Sequence, residues 1–252
     1  MTAQLLEWDI EMAPPVVHAW GLFDQNIGLT QVIEDPYMLS FAARWRGQKK
    51  VIFKSIHHDG QEEMIRSLYD LLDEADALVS WNGAGFDTKH ANREFKKVLN
   101  LGPPSPAKEV DLLRVARNRF KFLSNKLDYV AEYLGVGKKQ LHEGHMLWRL
   151  VMAGDEDAWK RFKSYNIQDV NLLDGLLTEL LPWIPASMMP NANLFGATGE
   201  VCPRCGSGNL QRRGSAPTLS GRYPRFQCQD CGGWLKGKTL VEGTSTTALR
   251  AI

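Results

Sequence analysis

Three short acidic motifs carry the chemistry in this sequence: Asp9-Ile10-Glu11, Asn82-Gly83-Ala84-Gly85-Phe86-Asp87 and Tyr165-Asn166-Ile167-Gln168-Asp169. Asp9 and Glu11 stand two apart and share one face of a strand. Tyr165 and Asp169 stand four apart and share one face of a helix, about one turn from each other. Brought to one spot, Asp9, Glu11, Asp87 and Asp169 supply four carboxylates, and Tyr165 adds a phenol. Two divalent cations about 3.5–4 Å apart can stabilise both the attacking and the leaving oxygen of a phosphodiester cleavage. Mg²⁺ or Mn²⁺ prefers hard oxygen ligands, so such a site draws carboxylates from several separate elements. Repulsion makes the cluster costly without metal. Two Mg²⁺ or Mn²⁺ ions are the expected cofactors.

Each motif alone has a plainer reading. Asp-x-Glu on a strand can be a solvated face. The Asn82–Asp87 stretch can be a turn opening a helix, with Asp87 beside the positive end of the dipole. It is not a dinucleotide loop, because the third glycine of GxGxxG would fall on Thr88. Tyr165 and Asp169 can decorate the polar edge of a helix whose core face is Trp159, Phe162, Leu173, Leu177 and Leu180. Only the combination, in this order, points to metal-dependent hydrolysis. Asp111 reads as a helix cap. The six histidines, His18, His57, His58, His90, His142 and His145, show no metal-binding spacing, and His57-His58 is expected to close a strand.

A second constellation lies near the C-terminus. All four cysteines occur there, as Cys202-x2-Cys205 and Cys228-x2-Cys231. Two such pairs read as one structural Zn²⁺ held by four thiolates, a closed site that cannot activate water. Arg212, Arg213, Arg222, Tyr223, Arg225 and Phe226 lie between the pairs, a mixture suited to phosphate contacts and base stacking. The alternative use of this module is a protein contact or simple stability. Residues 196–252 hold eight Lys/Arg and three Asp/Glu, a balance of +5 that leaves −4 for residues 1–195. The basic module on an acidic body favours a nucleic-acid partner more than the total of +1 does.

Several elements must position these groups. Residues 5–12 alternate, with Leu6, Trp8, Ile10 and Met12 on one face and Glu7, Asp9 and Glu11 on the other. Further strands are expected at Val16–Leu22, Met38–Trp45, Val51–Ile56 and Ala77–Trp81. A helix with Met64, Ile65, Leu68, Leu71, Leu72 and Ala75 inward precedes the last of these. Thr88–Leu99 reads as a helix, 102–106 as a loop, and Glu109–Leu113 as a strand entering a helix. The remainder to Leu181 reads as helices broken near Gly135–Gly137, Gly144 and Gly154. Antiparallel strands, then a helix, a strand and more helices make an α/β pattern with a mixed sheet. The start lacks a basic apolar leader and no apolar run could span a bilayer, so a soluble, intracellular (cytoplasmic) protein without membrane contact is expected.

The acidic motifs resemble those of the DEDD superfamily of 3′→5′ exonucleases, over residues 5 to about 181. The Tyr-bearing branch, which includes DNA polymerase proofreading domains, is the more similar. Asp9 and Glu11 match its first motif, Asn82, Phe86 and Asp87 its second, and Tyr165 and Asp169 its third. The sister branch has His five residues before the last Asp, where this chain has Ser164. Leu127–Gly135 (LDYVAEYLG) is similar to a stretch in family B proofreading domains. The resemblance implies a ribonuclease H-like mixed sheet flanked by helices, and the paired cysteines add a small C-terminal zinc ribbon. That ribbon is similar to those of nucleic-acid-binding proteins, including some transposases.

The resemblance further implies roles. Asp9 bridges both metals, Glu11 and Asp169 complete the first, Asp87 holds the second, and Tyr165 positions the attacking water. Asn82 and Phe86 shape the pocket or touch the terminal nucleotide; from the composition of the cysteine module, Arg212, Arg213 and Arg225 are expected to contact nucleic acid. The expected division is 1–184 catalytic, 185–199 linker, 200–240 zinc ribbon and 241–252 tail. The expected substrate is DNA, as single-stranded 3′ ends, with RNA left open because the 2′-OH is read by pocket shape. Two rivals stay open: a transposase-like or junction-cutting endonuclease, and a non-catalytic nucleic-acid-binding protein.

Overall fold

A computed structural model describes residues 3–138, 143–197, 199–218 and 221–244. The chain forms two compact units, Gln4–Leu177 and a second that runs from Thr178. Residues 245–252 of the expected tail lie outside the described residues, as does His142.

The first unit is built on a five-stranded mixed sheet. Its strands are β1 (Leu5–Met12), β4 (Met38–Trp45), β5 (Ile52–Ser55), β6 (Ala77–Ser80) and β7 (Lys108–Asp111), while β2 (Val16–Val17) and β3 (Val32–Glu34) form a separate ribbon. The order is β5-β4-β1-β6-β7. Strands β5, β4 and β1 are antiparallel, and β1, β6 and β7 are parallel. The connections explain the change of direction. A short turn after Trp45 suffices to return β5 antiparallel to β4. Helices α1 (Ile56–Asp59) and α2 (Gln61–Glu74) lead to β6, and α3 (Asp87–Val98) leads to β7. Parallel neighbours need crossovers of this kind.

Strand β1 is central, so both its faces are covered. Leu6, Trp8 and Ile10 pack with Phe41 and Ala43 of β4, Met64, Ile65 and Leu68 of α2, and Phe95 of α3. Leu39, on β4, packs with residues of α6 (His145–Met152) and α7 (Glu156–Leu180): Leu147, Val151, Trp159 and Phe162. Helices α4 (Leu112–Arg119) and α5 (Leu127–Tyr133) come between β7 and α6 in the chain. Asp111 caps α4 by accepting from the Arg114 N–H at 3.2 Å.

Two local expectations need correction. Val16–Leu22 does not form a continuous strand: only Val16 and Val17 pair, with β3. Trp20, Leu22 and Phe23 are 96%, 93% and 83% exposed, so β-forming composition finds neither a ladder partner nor a core there. His57 and His58 do not close a strand. They sit in α1, which Ser55 caps by accepting from His58 N–H.

In the second unit, β8 (Leu210–Thr218), β9 (Gly221–Cys228) and β10 (Trp234–Lys236) make an antiparallel sheet in the order β10-β9-β8. Among the described residues 199–244, the only buried side chains are Cys202 and Cys228. Such a module has almost no hydrophobic core of its own. No helix among the described residues is long and apolar enough to cross a membrane.

Candidate metal-dependent active site

The polar face of β1 divides into two parts. Glu7 is fully buried and bonded to the Arg44 guanidinium at 2.7 Å, with Arg46 at 3.8 Å. Arg44 also reaches Asn171 of α7 at 3.0 Å. Burial pushes Glu7 up to about 7, against the lowering effect of Arg44. One and two turns of the pleat further on, Asp9 and Glu11 are half-buried and meet Asp169 of α7. The carboxylate oxygens of Asp9, Glu11 and Asp169 lie within 4.8 Å of one another.

Helix phase brings α7 to this spot. Tyr165, Asn166 and Asp169 all lie on its inward face, at 8%, 0% and 4% exposure. They do not decorate a polar edge. The Asn166 amide donates to Asp9 at 2.7 Å and accepts from the Ser40 hydroxyl of β4 at 3.0 Å. Burial raises the Tyr165 phenol far above its ordinary value, and Glu11, Asp169 and Asp9 add to the rise. Its hydroxyl therefore stays protonated. Hard oxygen donors from a strand and a helix, this close together, fit Mg²⁺ or Mn²⁺.

Asp87 stands apart from that trio yet is tied to it. It opens α3, where its carboxylate accepts from the Ile10 N–H, between Asp9 and Glu11, at 3.2 Å. The parallel β1–β6 ladder runs only to Glu7, so the Asp87 side chain serves β1 beyond that point. Burial first, and then Asp111 and Glu109, raise Asp87 to about 7. The preceding turn is sterically defined. Asn82 adopts φ 72°, and a Cβ on Gly83 would collide with the Ser80 side chain. Asn82 itself is exposed, with its N–H held by Asp111 at 3.1 Å.

An open, mostly apolar cleft of ≈ 540 Å³ adjoins these groups, lined in part by Met12, Pro14, Phe86, His90, His145 and Trp148. Met12 follows Glu11, Phe86 precedes Asp87, and the Trp148 ring lies 5.8 Å from that of Tyr165. Phe86 was legible from its motif. Trp148, His90 and Asn166 were not singled out, because their relevance depends on helix phase and on α6 meeting β1.

The four cysteines are unbridged thiols. Their sulfurs lie within 4.8 Å of one another, with Cys202–Cys231 at 3.7 Å and Cys205–Cys228 at 3.6 Å. Tetrahedral Zn–S bonds of about 2.3 Å place sulfurs about 3.8 Å apart, so the spacing fits zinc. Each pair is closed by a turn, with Gly206 N–H on Cys202 O and Gly232 N–H on Cys228 O. Both glycines have φ near 75°, a region that favours glycine. Burial opposes ionisation of Cys228, but the N–H groups of Cys231 and Asp230, together with the Cys205 and Cys231 thiols, outweigh it and bring the thiol down to about 7.

The basic residues of this module do not share one face. Strand alternation and register put Tyr223, Arg225, Trp234 and Lys236 on one side of the sheet, and Arg212 with Phe226 on the other. Arg225 lies 5.0 Å over Trp234, and Lys236 lies 4.6 Å over Tyr223. Arg222 and Arg213 are exposed, Arg213 beside the irregularity in β8. Trp234 and Lys236 fall outside the Cys205–Cys228 stretch from which the basic candidates were drawn.

Mixed sheet, flanking helices and converging carboxylates define a ribonuclease H-like α/β protein. A family model agrees: residues 27–181 match the RNase_H superfamily. The chain belongs to that superfamily and carries its nuclease domain. The matched region begins after β1, so Asp9 and Glu11 join the site through the sheet, not through the match. Among curated proteins, none matches this chain.

Proposed function

We propose that this chain is a metal-dependent 3′→5′ exonuclease that hydrolyses DNA and releases nucleoside 5′-monophosphates. The observation that carries the reading is the group of Asp9, Glu11 and Asp169 oxygens within 4.8 Å, beside a protonated Tyr165. Asp9, Glu11 and Asp169 would hold one Mg²⁺ or Mn²⁺, and Asp87 a second that Asp9 shares. Bound there, such ions stabilise charge on the attacking and leaving oxygens of the phosphodiester. Tyr165 orients the attacking water through its hydroxyl. A phenol is a poor general base without the metal's help, so the role proposed for it is positional. Asn166 holds the Asp9 carboxylate in place. The cleft beside Phe86 and Trp148 receives the terminal nucleoside, and Asn82 opens the turn that carries Phe86 to it. Cleavage from the 3′ end rests on the resemblance of the three motifs to the Tyr-bearing exonucleases.

The C-terminal module is a zinc ribbon that assists nucleic-acid binding. Arg225 and Lys236, backed by Trp234 and Tyr223, offer cations and rings on one face, while Arg212 and Arg213 add charge elsewhere. Residues 1–184 form the catalytic domain, 185–199 the linker and 200–240 the ribbon. Its place in the cell is cytoplasmic.

A time course on single-stranded DNA and RNA, labelled at either end, with Mg²⁺ or Mn²⁺ tests this. Mononucleotides should appear at once from the 3′-labelled strand, while the 5′-labelled strand shortens stepwise. Preference for RNA would make the chain an exoribonuclease. Internal fragments from a circular strand would support the endonuclease instead, and no cleavage in either metal would leave only a binding protein.

A further inference from the structure

The spacing of histidines in the sequence points to no metal site, yet the fold brings together three possible ligands from positions about a hundred apart. His57 and His58 of α1 meet Glu156, the first residue of α7. One ligand atom from each lies within 4.8 Å of the others. His57 Nε2 is 2.8 Å from Glu156 Oε1, and His58 Nε2 is 3.9 Å from Oε2 of the same carboxylate. Zn–N and Zn–O bonds of about 2.0–2.2 Å set ligand atoms around a tetrahedral ion about 3.3 Å apart. The two separations, each to a different oxygen of one carboxylate, lie on either side of that value, and all three side chains are exposed enough to rotate toward a shared ion.

We propose that His57, His58 and Glu156 bind one divalent transition-metal ion of the zinc type, distinct from both the carboxylate group and the cysteine module. The donor set decides the class of ion. Two imidazoles and one carboxylate favour Zn²⁺, Co²⁺ or Ni²⁺ over Mg²⁺ or Mn²⁺, which prefer oxygen alone. The rings are already held in place. His57 stacks on buried Trp159 with centroids 5.2 Å apart and planes 10° apart. His58 stands edge-on to the same indole at 5.7 Å. The fully buried Ser55 hydroxyl lies 2.8 Å from His58 Nδ1. Accepting from Nδ1–H there, it leaves the Nε2 lone pair directed outward, the arrangement that metal-bound histidines show. The side chains of His57, His58 and Glu156 are 28%, 48% and 67% exposed, so water completes the coordination.

The ion's consequence is mechanical. It ties α1, at the end of β5, to the first turn of the helix that carries Tyr165, Asn166 and Asp169. Without an ion, the His57 and His58 ring contacts with Trp159 and one exposed His57–Glu156 hydrogen bond make that link, and the exposed bond contributes little.

The test uses the full-length protein in excess Mg²⁺, with Zn²⁺ as the probe. Equilibrium dialysis should show one zinc fewer per chain in His58→Ala than in the parent protein. Glu156→Gln should bind that same zinc at least about tenfold more weakly, having lost the anionic donor. Asp9→Asn should leave the count unchanged, which separates this site from the carboxylate group. NMR of the imidazole signals needs no variant: Zn²⁺ should shift two histidines together, and the same two signals should be lost or moved by His57→Ala and His58→Ala. An equal zinc count in parent, His58→Ala and Glu156→Gln, with no coupled imidazole shift, would overturn the proposal.

Discussion

At the scale of single residues, the site's most informative pair is Asp9 and Asn166. Asp9 sits among carboxylates, and the 2.7 Å bond from Asn166 fixes its orientation. Asp9→Ala or Asp169→Ala should lower hydrolysis by at least about 10³-fold with the fold retained, as the metal-holding role proposed for them requires. Tyr165→Phe should cost less, about 10–100-fold, since it removes a hydroxyl but keeps the ring against Trp148. Turnover of labelled single-stranded DNA measures both, and full activity in Asp169→Ala would sink the site. Asn166→Ala should raise the Mg²⁺ concentration needed for half-maximal rate by about 10–100-fold, an effect typical of groups that orient a metal ligand. A variant with unchanged Mg²⁺ dependence would reduce Asn166 to a packing role. Residue types made Asp9, Glu11, Asp169 and Tyr165 legible in the sequence. Asn166 lies inside the same motif, but its amide is equally compatible with a solvent-facing position. Only the phase of α7 against β1 turns it inward.

At the scale of elements, β1 shows what alternation can and cannot reveal. Glu7, Asp9 and Glu11 look equivalent in the sequence, each on the polar side of one strand. The structure makes them different by what lies opposite. Arg44 of β4 and Asn171 of α7 enclose Glu7, whereas Asp9 and Glu11 meet Asp169. No local pattern encodes that register. Alternation also misleads where partners are missing, as at Val16–Leu22, whose composition suits a strand that the sheet has no place for. The Glu7 environment has a measurable consequence. Its pKa is raised from 4.5 to about 7, so the folded protein keeps a proton that the unfolded chain has already released. Raising the pH from about 4.5 through 7 therefore costs stability, and above that range this contribution is flat. Glu7→Gln cannot titrate. Urea unfolding without Mg²⁺ or Mn²⁺ should show the variant gaining on the parent by roughly 1–3 kcal/mol between pH 5 and pH 8. The difference between the two proteins cancels other titrations, including those of the cysteines. A pH-independent difference would mean that Arg44 keeps Glu7 ionised throughout.

At the scale of the whole molecule, two units of unlike physics share one chain. The first has a large apolar core around β1, and it holds the carboxylates. Among the described residues after 199, only Cys202 and Cys228 are buried side chains, so little besides the cysteine cluster can order this module. The paired CxxC spacing made this legible, because thiolate geometry is local to two turns. The facing of Arg212 away from Arg225 was not, since it depends on the β8–β9 register. These facts set the expectation for a chain ending at Pro190. It retains β1, α3 and α7 entire, so the carboxylate group should survive and circular dichroism should show a folded α/β protein. It loses all eight Lys/Arg and three Asp/Glu of residues 196–252, a net +5. A cation that meets a phosphate of single-stranded DNA releases a counterion and steepens the slope of log affinity against log salt by about 0.7. If Arg213, Arg222, Arg225 and Lys236 each meet a phosphate, the truncated chain should show a slope shallower by about 2–3 and weaker binding at low salt. Metal analysis should find one zinc fewer per chain, the ion that four thiolates require. Fluorescence anisotropy with a labelled oligonucleotide across a salt series measures the slope directly. If affinity and slope stay the same while the zinc is absent, the ribbon does not touch nucleic acid, and its exposed Arg225–Trp234 face serves a protein partner instead.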